Sequence, residues 1–221
     1  MGRLAVVGGE YVRGLEVGDV PMLVRHGVDA EAYVQPHRID HGANLRSLLE
    51  LGCDRVLAIG SVGGLREELE VGTFVCPHDF IALHEGGGTV FEDQRGHAVP
   101  GFDPEWRSRV IDAWSRLAGV ELVDGGVYWQ AVGPRFETPA EIRLIAAHAD
   151  VVGMTVGAES VVARELGLRY SVICMVDNLA NGVGERELTL EELEAGRASN
   201  RERLGRGLAR VLPELAGEEA E

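Results

Sequence analysis

Nowhere in this chain of 221 residues is there an apolar run approaching the about eighteen or more residues that a membrane helix needs. The first residues, MGRLAVVGGEYV, reach glycine and acid too soon for a signal peptide, so a cytosolic location is the default expectation. Cysteine is scarce. Cys53, Cys76 and Cys174 are odd in number, lie in or beside apolar runs, and show no CxxC or Cys/His spacing. That excludes a disulfide frame and a zinc site and predicts buried, inert thiols. Positive charge is short as well: 21 basic residues against 36 acidic ones leave a net charge of −15. Such a chain repels nucleic acid and anionic membranes unless it carries a local basic patch. Its densest basic set, Arg197, Arg201, Arg203, Arg206 and Arg210, is interleaved with acids along a C-terminal helix and reads as a solvated face. No repeat or linker appears. Residues 1–216 read as one domain and 217–221 as a frayed acidic tail.

The remaining composition, 45% apolar and 26% charged, is that of a globular protein. Strand-like runs alternate with amphipathic ones. Strands are predicted at 3–8, 20–24, 55–59, 74–83, 150–154 and 170–176, with an extended stretch at 120–132. Helices are predicted at 42–51, 105–117 and 159–166. Two further helices are announced by capping boxes, Thr138-Pro139-Ala140-Glu141 and Thr189-Leu190-Glu191-Glu192. The polar, glycine-rich stretch 85–102 reads as a long loop of the kind that serves function. This order implies an α/β fold, a mixed β-sheet flanked by helices, with ligands gathered at the carboxyl ends of the strands.

Those strand ends carry the candidate chemistry. They read Gly8-Gly9-Glu10, Arg25-His26-Gly27, Gly60-Ser61-Val62-Gly63-Gly64, Met154-Thr155 and Asp177-Asn178. Glycines admit a ligand to the backbone, whose N–H groups can bind an anion. Gly8-Gly9 lacks the third glycine and following helix of a dinucleotide fingerprint. Each segment alone reads as a turn; their coincidence on successive strand ends points to a site. Arg25-His26 is the sharpest, since a guanidinium fork beside an imidazole suits an oxyanion, although a surface pair after a strand would look the same.

The run Gly133-Pro134-Arg135-Phe136-Glu137-Thr138-Pro139-Ala140-Glu141 resembles the signature of the trimeric purine nucleoside phosphorylases, in their methylthioadenosine phosphorylase branch. Similar in order and spacing are Arg25-His26-Gly27, the segments 36–44 (PHRIDHGAN), 63–72 (GGLREELEVG) and 150–155 (DVVGMT), and Ala163-Arg164-Glu165-Leu166-Gly167. The resemblance spans nearly the whole chain. It implies a nucleoside phosphorylase-like fold and phosphorolysis of the N-glycosidic bond of a purine (5′-methylthio)nucleoside to free purine and pentose 1-phosphate. It implies inorganic phosphate as co-substrate, no metal, no organic cofactor, and a homotrimer or dimer of trimers with shared active sites.

By the same resemblance, Arg25, His26 and Thr155 would hold phosphate together with the loops at Gly9-Glu10 and Gly60-Ser61. Met154 would pack on the sugar and Phe136 stack on the purine. Glu137 and Asn178 would read the base edge, Asn178 stabilising the departing base. His97 would reach a neighbouring subunit's pocket, and Leu190, with Leu188 and Leu193, would close an apolar 5′ pocket. Glutamate with asparagine resembles the family's 6-oxopurine pattern. Neighbours on a strand face opposite sides, so Asp177 could serve as a second base contact or general acid only if the strand turned there. Two departures stand out. Glu10 occupies the place of a small phosphate-binding hydroxyl, and Gly60-Ser61 replaces a threonine; the stretch from Gly9 to Arg25 is also short. Two other readings therefore stay open: a purine nucleosidase, in which Glu10 or Asp177 would activate water or protonate the base, and a non-catalytic nucleoside sensor.

Overall fold

The computed structural model describes residues 2–27, 33–83, 89–184 and 190–217, the side chains of 190–195 excepted. Nine strands and five α-helices alternate along it: β1 (Arg3–Gly8), β2 (Met22–Val24), α1 (His41–Glu50), β3 (Cys53–Gly64), β4 (Phe74–Cys76), β5 (Asp79–Ile81), α2 (Pro104–Leu117), β6 (Leu122–Asp124), β7 (Val127–Gln130), α3 (Pro139–Ile145), β8 (Val151–Gly153), α4 (Val156–Glu165), β9 (Arg169–Leu179) and α5 (Leu190–Ala216). They form one mixed, curled sheet. β3 is its spine: it pairs parallel with β1 and β9 and, at Gly63-Gly64, antiparallel with β8. On one side β8 continues to β7 and β5; on the other β9 continues to β4 and β6.

The central strands β1, β3 and β9 are buried on both faces, which explains their apolar runs. Alternation still sorts the side chains. Ala5, Val7, Val56, Ala58, Val172 and Cys174 join Leu45 of α1 and Val162 of α4 in one core. Leu4, Val6, Leu57, Ile59, Ile173 and Met175 join Trp106 and Trp114 of α2 and Leu204, Leu208 and Leu212 of α5 in the other. The cysteines are free and buried, and burial pushes the Cys76 thiol up to about 11, as expected of inert thiols. No described helix is long and apolar enough to cross a membrane.

Several expected boundaries move. The run 74–83 splits into β4 and β5 around Pro77, which has no N–H for the ladder. The extended stretch 120–132 splits at Gly125-Gly126, whose φ values of 116° and 93° only glycine adopts readily. β3 and β9 run beyond their predicted ends because each is paired along its length with the other. Within the expected long loop, 85–88 lie outside the described residues; the rest is irregular apart from a 3₁₀ turn at Gln94–Gly96. The capping box at Thr189 also lies outside them.

Candidate active site

The predicted signature segment explains itself locally. Gly133 has φ of 69°, and a Cβ there would come within 2.6 Å of Met154 Sδ, so only glycine fits. Thr138 caps α3 in a full capping box with Glu141. Arg135 donates to both Glu141 carboxylate oxygens at 2.7 and 2.8 Å and to the Phe136 carbonyl at 3.0 Å. Most of the motif is thus scaffold, and what it presents is Phe136 and Glu137. Phe136 is 47% exposed and lines a cavity of about 500 Å³.

Beside Phe136 and Glu137, that cavity is lined by Gly9, Glu10, Arg25, His26, Ser61, Met154, Thr155 and Asn178, all expected from sequence, drawn from loops after β1, β2, β7, β8 and within β3 and β9. Asn181 Nδ2 donates to the Glu137 carbonyl at 3.0 Å and fixes that backbone. Burial raises the Glu137 carboxyl above its ordinary value. The Asn178 amide donates to the Leu179 carbonyl at 2.9 Å, which orients its head at the cavity wall. Thr155 is the N-cap of α4, yet its hydroxyl makes no capping bond.

The anion-binding expectations fare unevenly. Arg25 is buried, and its guanidinium grips Glu159 with two bonds of 2.7 Å and the Ile59 carbonyl at 3.0 Å. Burial alone would raise the Glu159 carboxyl. The Arg25 charge and hydrogen bonds, with His41 3.6 Å away, outweigh that and hold it well below the usual carboxylate range. Arg25 therefore reaches the cavity as half of a neutral pair. His26 stacks on Tyr33 with centroids 4.7 Å apart. Its Nδ1 lies 2.8 Å from the Val34 carbonyl; since a carbonyl only accepts, Nδ1 carries the proton and neutral Nε2 keeps its lone pair. Burial lowers its pKa and favours that neutral form. Glu10 is held by Arg13 at 2.8 and 2.9 Å, and this ion pair lowers its pKa, so a carboxylate does stand in the first loop.

Several expected residues stand elsewhere than the cavity or outside the described residues. Gly60 does not line the cavity: its Cβ direction points at Cys174 and Val156 in the core, so it offers no surface to a ligand there. Asp177 stays out as well. β9 runs on to Leu179 with only a register shift opposite Val62/Gly63, so the turn that would bring Asp177 round does not occur. It accepts instead from Tyr11 and Ser61 hydroxyls and from Asn200 Nδ2 at 2.7 Å, beneath the cavity wall. His97 is exposed and lines no part of its own chain's cavity. The side chain of Leu190, like Leu188 and Leu193, lies outside the described residues. Arg197 and Arg201 of α5 are exposed, as the solvated-face reading expects, and both also line the cavity. A signal existed: three and seven residues before Leu204, on the buried stripe Leu204-Leu208-Val211-Leu215, stand Arg201 and Arg197. Glu159, Tyr11, Tyr33 and Asn181 were missed because nothing local distinguishes them; Glu159, Tyr11 and Asn181 meet Arg25, Asp177 and Glu137 across 44 to 166 residues, and Tyr33 lies in irregular chain.

Comparison with known proteins agrees with this geometry. The phosphorylase superfamily matches residues 4–213. A protein of Archaeoglobus fulgidus named a probable 6-oxopurine nucleoside phosphorylase is 41% identical over 175 residues, 79% of this chain and 71% of that one. One of Xanthomonas campestris pv. campestris, named a probable S-methyl-5′-thioinosine phosphorylase, is 37% identical over 205 residues, 89% of this chain and 79% of that one. A solved methylthioadenosine phosphorylase of Schistosoma mansoni, in complex with adenine, has the same fold with a TM-score of 0.84 at 22% identity, covering 99% of this chain and 93% of that one. A sheet spine that ends in glycines, a self-capped GPRFETPAE turn and a match over nearly its full length together place the chain in the phosphorylase superfamily, in its purine nucleoside and methylthioadenosine phosphorylase branch.

Proposed function

We propose that this protein is a purine nucleoside phosphorylase that transfers the pentosyl group of a 6-oxopurine nucleoside, carrying either the ordinary 5′-hydroxyl or a methylthio group in its place, to inorganic phosphate. The observation that carries the reading is the convergence of Phe136, Glu137 and Asn178 with His26, Ser61 and Thr155 on one cavity of about 500 Å³. The transition state of such a reaction is oxocarbenium-like, so the site must hold an anionic nucleophile under the sugar and neutralise the leaving base. Phe136 would stack on the purine and Met154 pack on the sugar. Ionised Glu137 would accept N1–H, and the Asn178 amide would donate to O6 or N7 as negative charge develops on the base. Neutral His26 would accept through Nε2 from a phosphate hydroxyl, and Thr155 and Ser61 would add hydroxyl contacts. The relatives' names support a 6-oxo base and leave both ordinary and methylthio sugars in play. A cytosolic homotrimer, with His97 entering the neighbour's cavity and no cofactor beyond phosphate, completes the proposal.

Turnover of inosine, 5′-methylthioinosine and their adenine counterparts, each with and without phosphate, tests it. Phosphate-dependent release of hypoxanthine with formation of pentose 1-phosphate is expected. Release that ignores phosphate would make the enzyme a hydrolase, and binding without turnover would make it a sensor.

A further inference from the structure

The phosphate side of the cavity has a charge problem that the expected residues do not solve. Arg25 is neutralised by Glu159, both almost wholly buried. His26 is neutral. Glu10 is likewise answered by Arg13, at 2.8 and 2.9 Å, so this pair too brings no net positive charge to the cavity. Asp177 adds a buried carboxylate just beneath Ser61. Every one of the 21 basic residues is an arginine, so no lysine exists to reach in. A phosphate dianion placed against these groups alone would meet net repulsion in a partly desolvated site.

The remaining cations on the cavity wall, among the described residues, are Arg197 and Arg201 of α5. They are four residues apart and so stand one above the other on a single helix face. Arg201 is anchored through its donation to the Arg13 carbonyl at 2.6 Å, and its field reaches Glu10. Arg197 is held less tightly. Its Nε lies 3.9 Å from Asp177 Oδ2 and its side chain is 48% exposed, so most of the fork is open to a ligand. The fields of Arg197 and Glu10 both reach Tyr33, which stacks on His26. The helix therefore carries two guanidinium groups to the residues where the anion is expected.

Resting on the phosphorolysis reading, the geometry points to Arg197 and Arg201 as phosphate-binding residues of this enzyme, supplying from the C-terminal helix the positive charge that the Arg25–Glu159 and Arg13–Glu10 pairs withhold. A guanidinium fork matches the spacing of phosphate oxygens and stays charged at every working pH. Arg197 approaches the ligand directly, and Arg201 adds its charge beside the Arg13–Glu10 pair.

Steady-state kinetics of the full chain with inorganic phosphate as the varied substrate tests this. R197Q is expected to raise the phosphate KM about tenfold or more, the weight of one charge-assisted hydrogen bond, while the nucleoside KM stays within about twofold. R197K is expected to recover part of the loss, since the charge returns without the fork. A second readout does not depend on turnover: inorganic phosphate should raise the unfolding midpoint of wild type and raise that of R197Q/R201Q much less. Because Arg201 also supports the Arg13 loop, R197Q alone decides the matter if the double variant folds poorly. An unchanged phosphate KM in R197Q, or equal stabilisation of wild type and double variant by phosphate, overturns the assignment. Wild-type turnover indifferent to phosphate would instead overturn phosphorolysis itself.

Discussion

Replacing Glu159 by glutamine is the most searching perturbation of this site, because it changes charge and almost nothing else. The carboxylate is wholly buried and accepts from Arg25 twice at 2.7 Å and from the Tyr170 hydroxyl at 2.8 Å. Glutamine keeps the volume and one acceptor but leaves the Arg25 guanidinium, itself 3% exposed, with an uncompensated charge. Breaking a buried pair in this way costs about 3–5 kcal/mol, against ~0–1 kcal/mol for a pair in solvent. For a domain of this size that lowers Tm by on the order of 10 °C. Since the folded carboxyl is held below its unfolded value, its contribution is complete above about pH 4.5 and is lost as the pH falls through the depressed folded value, so the comparison belongs near neutrality. Urea unfolding followed by the fluorescence of buried Trp106 and Trp114 measures it. The triple variant R25M/E159L/Y170F removes charge, countercharge and hydroxyl together. It is expected to recover most of the loss, because the penalty lies in an orphaned charge rather than in the absence of a strong bond. A loss below about 1 kcal/mol in E159Q, or a triple variant no more stable than the single one, would refute this account.

Asn178→Asp is expected to move the inosine-to-adenosine ratio of kcat/KM toward adenosine, since an amide can donate to O6 while a carboxylate can only accept from an amino group; an unmoved ratio removes Asn178 from base recognition. Burial raises the Glu137 carboxyl above its ordinary value of 4.5, so KM for a 6-oxopurine nucleoside should climb as acid protonates Glu137, starting at a higher pH than an ordinary glutamate would give. The stability share of that group runs the other way, present at low pH and lost as pH rises through the raised value, so a parallel melt separates binding from unfolding; a pH profile unaltered in E137Q would contradict the assignment. Asp177→Asn turns an acceptor toward the donors Tyr11, Ser61 and Asn200 into a partial donor; a stability loss of about 1–3 kcal/mol is expected by urea titration, and none at all would mean that the network is not held by the carboxylate.

Periodicity and local chemistry decided a large part of this protein in the sequence itself. The strand runs, the apolar faces of α1 and α2 and the capping box at Thr138 depend on neighbours within a turn or a strand, and the structure returns them with shifted ends. Strand ends rich in glycine and polar side chains likewise announced where the cavity would open, and Phe136, Glu137, Met154, Thr155 and Asn178 all meet there. What sequence could not decide is which groups neutralise one another. Arg25 lies 134 residues from Glu159, and Asp177 lies 116 from Ser61 and 166 from Tyr11. Only the docking of α4 and α5 on the two faces of the sheet pairs the expected phosphate ligand Arg25 with Glu159 at the cavity wall and makes a candidate acid, Asp177, a hydrogen-bond hub. The same docking carries Arg197 and Arg201, written as part of a solvated helix face, to the cavity wall. Charge acts through space and local pattern acts along the chain, so the site's shape could be read early and its electrostatics only after folding.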